Sequence, residues 1–523
     1  MTPPPSCAVY NEDGPRRKSF LTLNEDEQDP QLFLPGLRQS ETEEWDSQSS
    51  AKSPLLLNQN PQPRDDSLTM SLQQPRKGLL FFRSLFFLSG LSASTWGRFG
   101  VIYYNQVKHL KPQQIGVLQA VLHSVGFLSV PLWGYLADII QSRKQIYLLC
   151  NVMSTVSLLM LSFPFVDNFC KILICVFGMA TFRCSAVLDA LALDFLGDKH
   201  RGMYGSIRLY LPLAFGLGAA SMGSVTDQYG FGWNFACFAF LMTLLLIFTT
   251  WGLPARSKTE QATYEWVHHH KATEEILNPE GSGADDGMAL STLANSLFKP
   301  PVVFWLLEVA VIGTGLGVVE SFLFVFLQDE LMASTKLCGF SVAITVLFEM
   351  PVFHYSPYLL RRLGHDALFL LAMLAYSIRV FGYSFLSPQT VCFVYLLEVL
   401  HGLTFASMWI ASIDFSAAIA PKEWSTSVQS ILTLTNTCLG GGLGPILGGR
   451  FMEQYGARRM FRGSASTMFV LLLVHAIVWR LCQRGHDDFL KALAAKKMEG
   501  QVDSRPEIEG DLQNEIDQNN NRH

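Results

Sequence analysis

Long apolar segments separated by short polar ones dominate the chain between residues 79 and 481. Twelve of these segments reach about 20 residues, the length at which an α-helix crosses the hydrocarbon core of a bilayer. They are continuously apolar rather than alternating, which favours helices over the strands of a membrane barrel. The predicted spans, numbered 1 to 12 in chain order, are 79–104, 113–138, 145–166, 171–195, 205–226, 231–253, 300–327, 337–359, 366–386, 390–414, 424–449 and 463–481.

Polar stretches divide this pattern into domains. The stretch 254–299 separates six spans from six, which predicts an all-α membrane protein of two six-helix bundles, at 77–253 and 300–482. Residues 1–76 and 483–523 are polar and rich in acidic side chains, so we expect two disordered tails. The stretch 254–299 is the expected central loop.

The overall composition agrees with a membrane domain and excludes several other classes. Charged residues make up 16% of the chain, below the ~25% usual in soluble domains, and more than half of them lie in the three polar stretches. The net charge of −5 offers no basic concentration for nucleic acid. The ten cysteines show no metal-ligand spacing, and the chain has no Gly-x-x-x-x-Gly-Lys-Ser/Thr sequence. We therefore expect no cofactor, no metal, no direct use of ATP and no enzymatic reaction.

The distribution of Lys and Arg predicts the orientation. These residues are more numerous in the loops on the side of the N-terminus than in the loops on the other side. The positive-inside rule then places both tails and the central loop in the cytosol. The last loop on the outer side contradicts the trend with four arginines, namely Arg450, Arg458, Arg459 and Arg462.

A repeated motif connects the two halves. Gly134-Tyr135-Leu136-Ala137-Asp138 precedes Arg143-Lys144 between spans 2 and 3, and a related sequence, 357–364, lies between spans 8 and 9. We expect Gly134 to allow close helix contact. We expect Asp138, Arg143 and Lys144 to form an ionic latch that is made and broken as the two halves move.

The run 131–138 with its two following cations resembles the loop signature of the major facilitator superfamily, except that Gln141 stands where glycine is usual. The sequences 204–208, 377–380 and 400–402 are similar to the branch that contains lactose permease and nucleoside–proton symporters. This resemblance implies twelve helices that rock around a central site, with a small polar solute of the sugar or nucleoside class and protons as partners. It also implies a functional monomer in the lipid bilayer.

Ionisable residues inside the spans are the candidate site residues, because a charge at bilayer depth tends to face a cavity or a partner. Asp189 of span 4 and Arg208 of span 5 can face one another and offer hydrogen bonds to hydroxyl groups. Phe215 lies two turns beyond Arg208 on the same helical face and can stack on a ring. In lactose permease, which this segment resembles, matching residues hold the sugar, with tryptophan in place of Phe215.

The resemblance implies that Arg379 of span 9 and His401 of span 10 handle the coupled proton. The family places Glu one turn after the histidine, whereas this chain has Thr404. Glu398, one turn before His401, and Glu349 of span 8 are the available carboxylates. An approaching Arg favours the ionised form of a buried carboxylate, so movement between the two could load and unload a proton.

Three alternatives stay open. The buried charges could be static ion pairs that hold helices together. The protein could be an uncoupled facilitator of the same fold, or a receptor or scaffold that uses its acidic tails for partners.

A glycine pattern in span 11 predicts close packing rather than a transport mode. Small residues at a spacing of four let two helices approach closely. The residues are Gly440, Gly444, Pro445, Gly448 and Gly449.

Overall fold

The computed structural model describes residues 75–200, 203–254, 256, 261, 298–420 and 425–502. The predicted tail 1–76, nearly all of the central loop 254–299 and the segment 503–523 lie outside the described residues. The described part of the chain is helical, and its helices follow the predicted spans.

The first half supplies spans 1 to 6, of which spans 1, 4 and 5 each consist of two helices. In chain order the helices are Pro75–Trp96 with Phe99–Gln106, Pro112–Ile140, Arg143–Met160, Phe169–Thr181 with Ser185–His200, Tyr204–Arg208 with Tyr210–Tyr229, and Gly232–Gly252.

The second half supplies spans 7 to 12. Span 10 begins with one 3₁₀ turn, Val391–Phe393, and span 11 contains a π-helical segment, Leu434–Gly440. The helices are Pro300–Asp329, Thr335–His354, Ser356–Tyr383, Val394–Ile419, Ser425–Thr433 with Gly441–Tyr455, and Ala457–Val502. The last helix continues twenty residues past the predicted domain boundary at 482.

Ten spans within the described residues are long and apolar enough to cross a membrane. The two others have identifiable reasons for falling short. Span 3 begins on two charged residues, Arg143 and Lys144. Span 11 is divided by the π segment and is rich in glycine and polar residues. Together they complete the predicted twelve-span architecture.

Local sequence explains where several spans begin and break. Pro112 and Pro300 occupy first-turn positions, where the missing N–H costs nothing. Asn168 and Ser334 cap their helices by accepting backbone hydrogen bonds of 3.1 and 3.2 Å. Span 5 is interrupted at Leu209, just before a proline that cannot donate to the carbonyl four residues earlier.

The two halves meet through span 2 against span 11 and through span 5 against span 8. Span 11 lies so close to its neighbours that a Cβ on Gly444 would be 2.2 Å from the carbonyl oxygen of Thr314, and one on Gly449 would be 2.5 Å from that of Pro112. The close packing predicted from the glycine pattern is therefore confirmed.

The ends of the spans define two faces of the molecule. We call the face at which span 1 begins the terminal face, and the other the opposite face. At the opposite face, Asn105 of span 1 donates to Asp329 of span 7 at 2.7 Å. The backbone N–H of Thr335 donates to Asp227 at 3.0 Å. These contacts join the two halves at the opposite face.

Candidate solute and proton site

A cavity of about 220 Å³ lies between the two halves and is lined by residues of spans 1, 5, 7, 8 and 10. Pockets for drug-sized ligands occupy ~300–1,000 Å³, so this cavity suits a smaller molecule. Its lining combines ionisable and aromatic side chains. These include Arg98, Glu320, Glu349, Glu398, His401, Phe215, Phe324 and Phe405.

An ion pair crosses the cavity between the halves. Arg98 donates to Glu320 at 3.1 Å, and Nε2 of His123 lies 3.8 Å from the other carboxylate oxygen. Both partners of the ion pair remain partly exposed. Because span 1 and span 7 belong to different halves, relative motion of the halves would change this contact.

A hydrogen-bond cluster in the second half holds Glu398. Thr345 donates its hydroxyl to this carboxylate at 2.8 Å, and the hydroxyl of Tyr383 donates to the other carboxylate oxygen. Only 2% of Glu398 is exposed. The predicted residue is therefore fixed by spans 8 and 9 while it still contributes to the cavity lining.

Arg379 continues the same cluster. It is fully buried, and its guanidinium group donates to Nδ1 of His401. A nitrogen that accepts from guanidinium carries no proton, so this contact fixes the tautomer of His401. The guanidinium also lies 5.7 Å from the ring centre of Tyr383, which binds Glu398. Three of the four residues predicted for proton coupling are thus connected, while Glu349 stands apart on the cavity wall.

The three residues predicted for the solute are divided between two places. Arg208 donates to Asp189 at 3.0 Å and to the hydroxyl of Tyr204 at 2.8 Å. The side chain of Arg208 is 57% exposed and that of Asp189 is 24% exposed, so the pair is partly exposed, and neither residue lines the cavity. Phe215 does line it, seven residues and hence about 10 Å further along span 5.

Two of the predicted latch residues, Asp138 and Arg143, form an ion pair at the terminal face. Arg143 bonds Asp138 at 2.8 Å and also pairs with Asp194 at the end of span 4. Lys144 instead donates to backbone carbonyls near the end of span 6, at 2.7 Å for Thr250. The expected close contact at Gly134 is wrong for this conformation, because a Cβ there would meet nothing within 4 Å.

The backbone supports the internal repeat. Gln141 has a φ of 51°, and Gly364, at the matching place of the second motif, has a φ of 76°. Both residues turn the chain at the terminal face through a positive φ, which glycine adopts most easily. The departure from glycine at Gln141 therefore leaves the turn in place.

Arg98 and Glu320 line the cavity but are not among the residues predicted for the site, although both lie inside predicted spans. Their position deep in the spans can be read from the sequence. Their pairing cannot, because it depends on how spans 1 and 7 pack against each other. Tyr383 and Thr345 gave no comparable signal, because hydroxyl side chains are common in apolar spans.

Twelve spans in two halves with a charged cavity between them define a membrane transporter. Residues 83–463 match the MFS_1 like family. The chain belongs to this family of major facilitator transporters and is an integral, multi-pass membrane protein.

Curated relatives and solved structures are consistent with this family. The chain is 21% identical over 353 residues to the uncharacterized transporter YwbF of Bacillus subtilis (strain 168), covering 66% of this chain and 78% of that protein. It is 21% identical over 300 residues to Sugar efflux transporter A of Escherichia coli (strain K12), covering 56% of this chain and 70% of that protein. The crystal structure of the nucleoside transporter NupG superposes with a TM-score of 0.63 at 17% identity, covering 77% of this chain and 98% of that one.

Proposed function

We propose that the protein is a proton-coupled symporter of a small polar solute of the sugar or nucleoside class. The observation that carries this proposal is the Glu398 cluster, which connects a fixed carboxylate, a histidine and a buried arginine to the wall of the cavity between the halves. Similarity to a sugar efflux transporter and to a nucleoside transporter supports the solute class.

The solute is proposed to bind against Phe215 in the cavity and to contact Asp189 and Arg208 on its way to the terminal face. Phe215 offers an aromatic surface for a sugar or base ring. The exposed ion pair offers directed donors and acceptors that water or a hydroxylated solute can share. The small cavity restricts the solute to a compact molecule.

The proton is proposed to bind Glu398 or Glu349. Arg379 reaches Glu398 through Tyr383, so rocking of the halves that shifts spans 9 and 10 changes the field at this carboxylate. Glu349 lies on span 8 at the same cavity and is the second candidate.

Alternating access supplies the transport cycle in this proposal. The opposite face is closed by contacts between the halves, and the latch of Asp138, Arg143 and Asp194 lies at the terminal face. With both chain ends in the cytosol, the structure corresponds to a state closed to the outside. We propose that a single chain carries out this cycle as a monomer.

An uncoupled facilitator is the second candidate, and Thr404 favours it. This residue stands where the resembling branch has a carboxylate, and its hydroxyl donates to the carbonyl of Leu400 in its own helix at 2.8 Å. One acidic group of the coupling cluster is therefore missing.

Uptake by the purified protein in liposomes tests the proposal against a panel of sugars and nucleosides. The proposal expects accumulation of at least one solute above its external concentration when an inward proton gradient is imposed. Uptake that only equilibrates, with or without the gradient, supports the facilitator instead. Absence of uptake for the whole panel contradicts the proposed solute class.

A further inference from the structure

Arg183 is a deep cation that the mechanism proposed above does not use. It lies where span 4 breaks, between the helices that end at Thr181 and begin at Ser185. Its side chain is exposed, and among the described residues it forms no ion pair with a carboxylate. A guanidinium at this depth is costly unless it faces water or a partner.

Contacts with span 2 locate Arg183 beside the cavity. A Cβ on Gly126 would lie 3.2 Å from Cδ of Arg183, so the aliphatic part of the arginine side chain packs against this glycine. Gly126 is three residues beyond His123, on the same face of the helix. Since His123 lies 3.8 Å from Glu320, Arg183 is about one turn from the cavity wall, on the side of the terminal face.

The neighbouring charges are largely neutralised by one another. Arg98 pairs with Glu320, and Arg208 pairs with Asp189. Among the described residues Arg183 has no hydrogen-bond or ion-pair partner, and Glu320, the carboxylate whose charge acts on it, is already paired with Arg98, so the guanidinium can bind an anion. The break in span 4 keeps it accessible, because Trp133 rather than Arg183 donates to the freed carbonyl of Thr181, at 2.6 Å.

We propose that the transported solute carries an anionic group, a carboxylate or a phosphate, that binds Arg183. Guanidinium groups bind both anions through two parallel hydrogen bonds, so the two share one recognition chemistry. This inference rests on the proposed function and narrows its solute class to acidic sugars or nucleotides.

Glu349 is the carboxylate of the second half that an anionic solute in the cavity would meet. It lines the cavity and, among the described residues, has no hydrogen-bond or ion-pair partner. An ionised Glu349 would repel an anionic solute, whereas a protonated one would not. Binding of the anion and of the proton therefore favour one another, as symport requires.

Paired probes test the proposal on the purified full-length protein. Melting-temperature shifts and equilibrium binding are measured for glucose against glucuronate and glucose 6-phosphate, and for uridine against uridine monophosphate. We expect an anionic member to bind more tightly than its neutral counterpart. Glucuronate binding without glucose 6-phosphate binding identifies the carboxylate, and the reverse identifies the phosphate.

Variants of Arg183 supply the second arm. Arg183→Gln should weaken binding of the anionic probe about 30-fold, the effect of removing one partner of a close charge pair, and Arg183→Lys should restore part of it. Lys171→Gln is the matched control, because it removes a cation from the first turn of span 4, where Lys171 pairs with Asp167. The melting temperature without probe reports whether each variant is folded.

Three results would overturn the inference. They are preference for the neutral probes, equal binding of the anionic probe by wild type and Arg183→Gln, and failure of every anionic probe to bind the wild type. Proton-driven uptake of glucose or uridine together with any of these results would support the proposed symport. It would contradict only the inference that the solute carries an anionic group.

Discussion

The two halves of this transporter hold their charged residues in different ways. In the first half, Asp189 and Arg208 form a single ion pair that is partly exposed. In the second half, Glu398, Arg379 and His401 are almost fully buried and joined by direct hydrogen bonds and Tyr383. An exposed pair contributes little to stability and can exchange partners with a polar solute. In a buried cluster, adding one proton or displacing one partner leaves a charge uncompensated, which changes the free energy of that state strongly. The difference favours a division of labour, with solute binding in the first half and proton binding in the second.

The largest expected effect comes from neutralising the buried cluster. Glu398→Gln keeps the shape of the side chain and its hydrogen bond from Thr345 but removes the site of protonation. If Glu398 carries the proton, uphill uptake falls to background in this variant while solute exchange without a pH gradient continues.

Glu349→Gln is the parallel variant, because either carboxylate can carry the proton. Equal loss of uptake and exchange in Glu398→Gln would indicate structural damage. Retention of uphill uptake in both variants would contradict a proton site in spans 8 to 10.

The exposed pair should produce a smaller and different effect. Asp189→Asn and Arg208→Ala each remove hydrogen bonds to a charged group, which contribute ~1.5–3 kcal/mol, or roughly 10- to 150-fold in solute affinity. Uphill accumulation at saturating solute should persist. Solute affinity is measured by equilibrium binding. Unchanged affinity in both variants would show that the Asp189–Arg208 pair does not bind the solute, and would contradict solute binding by this pair in the first half.

Phe215 tests whether the solute lies in the cavity itself. Phe215→Ala should weaken binding about 2- to 13-fold through loss of stacking, since aromatic contacts contribute roughly 0.5–1.5 kcal/mol beyond burial. Phe215→Trp retains a ring and should bind nearly as well as the wild type. Equal binding by Phe215→Ala and wild type would contradict a stacked solute.

The latch should give the smallest effect. Asp138→Asn removes one carboxylate that holds Arg143, and Asp194 still pairs with it. Because the pair is partly exposed, we expect turnover to change only about two- to fivefold. Asp167→Asn, which breaks an exposed Lys171 pair away from the latch, is the control and should leave turnover unchanged.

The fold could be predicted from the sequence because the membrane imposes a simple rule. Every span must be an apolar helix of about 20 residues, and the windows counted in the sequence correspond to the helices found. Breaks within spans 1, 4 and 11 were less visible. Proline marks the break in span 5, whereas no proline marks the π segment of span 11.

The site was only partly predictable for a related reason. Sequence gives the depth of an ionisable residue but not the direction of its side chain in three dimensions. Glu398, Arg379 and His401 were expected together and do lie together. Phe215 was expected to share one solute site with Arg208, two turns away on the same helical face, yet only Phe215 lines the cavity. The Arg98–Glu320 pair arises from contact between the halves, which no local pattern encodes.

The most direct measurement records proton movement itself. Purified protein in liposomes with a trapped pH-sensitive dye receives solute from outside, without an imposed gradient. The account predicts that solute entry acidifies the interior in the wild type, and that at least one of Glu398→Gln and Glu349→Gln abolishes this acidification while solute exchange continues. Solute entry without acidification in the wild type would contradict proton coupling.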